Sequence, residues 1–231
     1  DCPQEAEDKE DCPICTDALP KLSYQFVRLE CCGKGLHEKC YKDLMQNTSM
    51  TFEQKSKCIM CRARQVDTGT KEYIERLRGW AKKNKAWAMA LLADRYRDGR
   101  GVKQSDPKMI KFFKKAAEGG NACAQFSLGQ FYDQGIHGLP QSSAKAFEYY
   151  TLAAKQGMAL AQNNLGTMYA HGQGIEQSYS KARKWWTKAA AQEDQVAINT
   201  LKQLDEQIKL LKIAAAQGDK VAAKTLKNYK N

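Results

Sequence analysis

The chain has 231 residues, 42% hydrophobic and 27% charged, with a formal net charge of +11 at pH 7. That balance is globular and excludes collagen-like, low-complexity and prion-like classes. Its longest apolar run, Ala86 to Ala93, is eight residues, far short of the roughly 18–20 that span a bilayer, so no transmembrane helix is expected. A start at Asp1 rather than methionine is what a fragment or processed product would give.

Composition divides the chain. Eight of nine cysteines lie between Cys2 and Cys61, whereas 26 of 29 alanines follow residue 66. Residues 1–66 carry 10 Lys and Arg against 11 Asp and Glu, net −1, which leaves 27 against 15, net +12, for residues 67–231. Residues 67–84 read as a linker and an opening helix, because Val66-Asp67-Thr68-Gly69-Thr70 has few apolar residues and a glycine.

In the first part the order is Cys12-x2-Cys15, fifteen residues, Cys31-Cys32, four residues, His37-x2-Cys40, seventeen residues, Cys58-x2-Cys61. Structural zinc takes four Cys or His ligands in a tetrahedron, and a Cys-x2-Cys turn offers two thiolates to one ion. Eight candidate ligands are enough for two zinc ions per chain. A disulfide framework is the rival reading, but it has no need of a histidine at ligand spacing. Thiolates on zinc imply a reducing compartment, so cytoplasm or nucleus is expected.

This order of four cysteines, one histidine and three cysteines, with Cys-x2-Cys steps at both ends, resembles the RING finger family over residues 10–64. The resemblance implies a small zinc-stapled α+β module with a cross-brace. Site one would be Cys12, Cys15, His37 and Cys40, and site two Cys31, Cys32, Cys58 and Cys61. Cys31 and Cys32 are adjacent where most RING fingers separate the equivalent ligands; if only one reaches the ion, Cys32 keeps the usual register. Interleaved ions tie together a segment too short to bury a sufficient core. What the resemblance further implies is docking of a ubiquitin-conjugating enzyme, with Ile14 as the apolar first-loop contact and Leu44 where many ligases have tryptophan. Arg62 matches the basic linchpin, a role that suits the fixed donors of a guanidinium. Such a ligase acts by bridging, with no covalent intermediate on this chain.

The second part repeats itself every 36 to 37 residues. Ala122-Cys123-Ala124-Gln125, Leu128-Gly129 and Tyr132 recur as Ala159-Leu160-Ala161-Gln162, Leu165-Gly166 and Tyr169. An earlier copy runs Ala86-Trp87-Ala88-Met89, Leu92-Ala93 and Tyr96. Each passes a glycine turn into a second helix ending in Phe112-Phe113, Tyr149-Tyr150 or Trp185-Trp186 and a paired alanine. The period predicts an all-α helical solenoid, with copies at 85–120, 121–157 and 158–193 and a degenerate one at 194–231. Tyr73, Ile74, Leu77, Trp80 and Ala81 predict an opening helix, and Val221 to Tyr229 a closing one; between them, the copy after Ala190 has lost about eleven residues of the usual turn. The pattern resembles Sel-one-like repeats, relatives of the tetratricopeptide solenoid, which implies a protein-binding surface with no chemistry of its own.

Tyr149, Tyr150, Trp185 and Trp186 read as second-helix core, and Cys123, aligned with Trp87 and Leu160, as a core thiol. His137 and His171 fall in repeat turns. Together the motifs predict a RING-type ubiquitin ligase whose solenoid holds a substrate or adaptor protein. A non-catalytic zinc-binding interaction scaffold is the alternative, with a basic nucleic-acid binder behind it: net +12 favours an acidic partner surface, and aromatics among lysines can stack on bases.

Overall fold

In the computed structural model the described residues are 70–230 and, before them, four short strands. β1 (Gln4–Glu5) pairs antiparallel with β2 (Leu22–Ser23), and β3 (Phe26–Leu29) with β4 (Lys34–His37), Phe26 opposite His37. The remaining described residues form helices. The chain separates into two compact units, Asp1–Ser127 and Leu128–Asn231.

In the first unit, α1 (Lys71–Lys82) starts at Thr70, whose Oγ1 accepts from the Tyr73 amide at 3.3 Å and satisfies a donor that the first turn leaves open. Its apolar residues at helical spacing, Tyr73, Ile74 and Leu77, pack on Trp87, Ala88 and Leu92 of α2 (Ala86–Asp98). Trp80 joins them against Trp87, centroids 5.9 Å apart. Helix α2 is rich in alanine and leucine and buried on nearly every side, as expected for a helix sandwiched between neighbours. It ends at Gly99, whose left-handed φ of +71° lets its amide return to the Arg95 carbonyl. Pro107 in the first turn of α3 (Asp106–Glu118) fits where amides have no intrahelical acceptor, and Met109, Phe113 and Ala116 face inward.

Helix α4 (Ala122–Gln134) opens on Asn121, whose buried Oδ1 accepts from the Ala124 amide at 2.8 Å. Cys123 is buried as the repeat alignment expects, but it is disulfide-bonded rather than a thiol.

The second unit continues with α5 (Ser143–Lys155), α6 (Ala159–His171), α7 (Tyr179–Ala190), α8 (Gln195–Ala216) and α9 (Lys220–Lys230). Ser142, Ser178 and Asp194 cap α5, α7 and α8 with side-chain oxygens. Ala170, Ala182, Trp186, Ala189, Ala197 and Leu204 form one core. Burying rings the size of Tyr150 and Trp186 contributes about 2–3 kcal/mol each. The shortened copy after Ala190 is a single helix of 22 residues, because nothing between Gln195 and Ala216 is glycine or proline to break it.

The core assignment of the paired aromatics holds for one of each pair. Phe113, Tyr150 and Trp186 are 1%, 2% and 4% exposed, whereas Phe112, Tyr149 and Trp185 are half-buried. Neighbours in a helix diverge by about 100°, so two successive rings cannot share one core direction.

Candidate protein-interaction surface

Each repeat sets a tyrosine against a lysine, and the first two add a stacked aromatic ring. Tyrosines from the first helices, Tyr96, Tyr132 and Tyr169, each lie beneath a lysine from the second. Nζ of Lys108, Lys145 and Lys181 stand 5.4, 5.0 and 5.6 Å from the respective ring centroids. One turn beyond each lysine is the half-buried aromatic. Phe112 and Tyr149 stack nearly parallel on Tyr96 and Tyr132, with centroids 5.7 Å apart in both cases. Such cation–ring contacts are worth about 0.5–1 kcal/mol at exposed sites and hold the ammonium groups at fixed places on the surface.

In the third repeat the equivalent Trp185 lies in a groove of about 640 Å³ between α7 and α9. Lys181, Arg183, Lys184 and Lys188 line it, with Tyr229 of α9 on the far side. The Lys188 ammonium lies 4.4 Å from the Trp185 centroid. Tyr229 packs on Tyr179 at 4.3 Å between centroids and points its hydroxyl at Gln207 Oε1, 3.5 Å away. Burial and the adjacent Tyr179 hold the Tyr229 phenol above its ordinary value, so it stays neutral at physiological pH. Arg183 is answered by Asp205 at 2.6 Å. Lys181, Lys184 and Lys188 meet no carboxylate within 4.0 Å among the described residues.

Buried amides tie the helices below this surface. Gln125 Nε2 donates to the Ala117 carbonyl and Gln162 Nε2 to the Ala154 carbonyl, both at 3.1 Å. Each clamps the second alanine of the preceding pair. Gln162 Oε1 also accepts from Gln192 Nε2 at 2.9 Å. Neither role was read from the sequence, although the recurrence of glutamine in register was the available signal.

The zinc ligands expected from the sequence (Cys12, Cys15, Cys31, Cys32, Cys40, Cys58 and Cys61) lie outside the described residues, as do Ile14, Leu44 and Arg62. Of His37 only the backbone, in β4, is described. Among the described residues no group of three or more His, Cys, Asp or Glu could hold a metal, and no helix is long and apolar enough to cross a membrane. His137 stands edge-on to Phe131 at 4.7 Å, and exposed His171, the last residue of α6 rather than a turn residue, bonds through Nδ1 to the Thr167 carbonyl.

A Sel1 repeat model matches three stretches, residues 88–121, 124–158 and 159–194. A Sel1 repeat protein of solved structure from Oxalobacter formigenes is 33% identical with a TM-score of 0.56, the match covering 57% of this chain and 98% of that one. A protective antigen of uropathogenic Escherichia coli displaying an SLR fold is 27% identical with a TM-score of 0.57, covering 71% of this chain and 37% of that protein. Curated protein sequences give no match. The helical part is thus an all-helical solenoid, and the chain belongs to the Sel1 repeat family.

Proposed function

We propose that this protein is an interaction scaffold whose repeats hold a partner protein. The observation that carries the reading is the surface of the second unit, where Leu152, Leu160, Val196 and Leu210 stand 46%, 53%, 60% and 58% exposed on helices that bury Ala153, Ala161, Leu165, Ala197 and Leu204. Large apolar side chains kept in water across several helices of one unit are an invitation to a partner. A photo-crosslinking amino acid at Leu160 should give a saturable adduct with one cellular protein, absent when the same probe replaces Gly79 on α1. Adducts no more abundant at Leu160 than at Gly79 would refute the scaffold.

The ligand order between Cys12 and Cys61 favours a finer, second reading, in which a zinc module bridges a ubiquitin-conjugating enzyme to what the repeats hold. Cys12, Cys15, His37 and Cys40 would hold one zinc, and Cys31, Cys32, Cys58 and Cys61 the other. Ile14, Leu44 and Arg62 would meet the conjugating enzyme. The zinc-loaded chain should accelerate discharge of ubiquitin from a charged conjugating enzyme onto free lysine, and Arg62→Ala should abolish the acceleration. No acceleration across a panel of conjugating enzymes would leave the scaffold alone.

A further inference from the structure

We infer that the groove between α7 and α9 binds an acidic protein segment that carries an apolar side chain. The inference rests on the scaffold reading and deepens it by naming a place and a chemistry. Three features converge there. Helix α7 has four cations and no acid along its twelve residues, Tyr179–Ala190. One of those cations, Arg183, is engaged by Asp205, while Lys181, Lys184 and Lys188 meet no carboxylate within 4.0 Å among the described residues. Beside them stands Trp185, half-buried in the cleft, the residue type most enriched at interface hot spots.

Charge complementarity selects the occupant. Carboxylates entering the groove pair with Lys184 and Lys188, and the Lys188 ammonium needs only to swing off the Trp185 face for an apolar side chain to take its place. Tyr229, neutral and anchored on Tyr179, supplies a hydroxyl at the opposite wall. The cleft offers one aromatic shelf and one phenol, room for a side chain or two. A nucleic-acid strand wants successive stacking platforms along a basic track, so a peptide fits better.

The test uses the full chain and a fluorescein-labelled peptide alternating glutamate with phenylalanine. Controls are an all-glutamate peptide, a lysine–phenylalanine peptide and a thymidine oligonucleotide of equal charge. The glutamate–phenylalanine peptide should bind tightest, and its affinity should fall as salt rises through the range where surface charges are screened. Trp185→Ala should weaken it about thirty-fold, and Lys184→Glu, at an exposed position that cannot unfold the helix, about ten-fold. Binding untouched by both substitutions would overturn the groove while leaving a partner elsewhere on the repeats. Preferential binding of the oligonucleotide, lost in the same variants, would overturn the peptide assignment, and no binding of any probe would overturn the inference outright. Failure of the scaffold itself reads differently, as absence of a specific adduct at Leu160.

Discussion

A methyl group added at Gly166 tests how the repeats pack. A Cβ built there lies 2.7 Å from Trp186 Cδ1 and Nε1, and one built at Gly129 lies 2.7 Å from Tyr150 Cδ1 and Cε1. Carbon contacts ordinarily settle near 3.5–4.0 Å, so the ring must move by several tenths of an ångström. Trp186 is 4% exposed and has nowhere open to go. Overpacking of this kind costs about 1–3 kcal/mol, against which alanine gains about 0.5–1 kcal/mol over glycine inside a helix. The net expectation for Gly166→Ala is a loss of about 1 kcal/mol, or about 2–4 °C in Tm for a chain of this size. Gly79→Ala is the control: nothing lies within 4 Å of its Cβ, so it should stabilise α1 by about 0.5–1 kcal/mol. The first repeat supplies a further control, because there Ala93 holds the glycine position and the ring is Phe113, both buried. Trp186→Phe should therefore shrink the cost of Gly166→Ala, recreating the first repeat's pair. Thermal unfolding of the four variants reads this out. A Gly166→Ala protein as stable as Gly79→Ala, or a cost unchanged in the Trp186→Phe background, would refute the close-approach account.

Gln162→Leu removes one of the two donors on the Ala154 carbonyl, which keeps the Gly157 amide, and frees the exposed Gln192 to water, so it should cost about 0.5–1.5 kcal/mol by denaturant titration; an unchanged stability would refute the clamp. Burial, with Asp133 nearby, pushes the Tyr150 phenol well above its usual 10, so folded protein keeps a proton the unfolded chain releases. The contribution is nil at neutral pH and becomes destabilising as pH climbs past 10, so Tyr150→Phe should blunt that alkaline loss; identical alkaline profiles would refute it. Elemental analysis of the purified chain should find two zinc ions, and one equivalent would sink the cross-brace and point to Cys31 or Cys32 as a bystander.

Periodicity made the helices legible. The recurrence of Leu-Gly, Tyr and Ala-Ala located first and second helices, since each position meets the same neighbour in every copy. The sequence did not disclose which ring of Phe112-Phe113, Tyr149-Tyr150 and Trp185-Trp186 faces inward, because both are large and apolar; the choice depends on the axial rotation of the helix against its neighbours. Nor did it disclose the clamps from Gln125 and Gln162, whose polar heads read as surface until the Ala117 and Ala154 carbonyls are seen to lie within reach. Cysteine spacing carried the zinc expectation by ligand chemistry alone, with no help from burial or packing.

The groove at Trp185 traces back to a deletion. In the earlier repeats a glycine turn separates the two helices, with Gly99 and Gly172 both left-handed. The copy after Ala190 lacks that turn, and its residues run on as the 22-residue helix α8, about 33 Å long at 1.5 Å per residue. The reversal is postponed to Gly218, whose positive φ of +94° turns the chain into α9. Helix α9 then comes back along α8 and sets Tyr229 on Tyr179 at the start of α7. A regular repeat would have put its second helix where that wall now stands. The lost turn therefore spaces α9 from the middle of α7, and the gap falls at Trp185, beside Lys184 and Lys188, where the preceding copy has Glu148 and Leu152. Restoring a glycine turn within α8 should close the groove and abolish peptide binding without touching any residue that lines it.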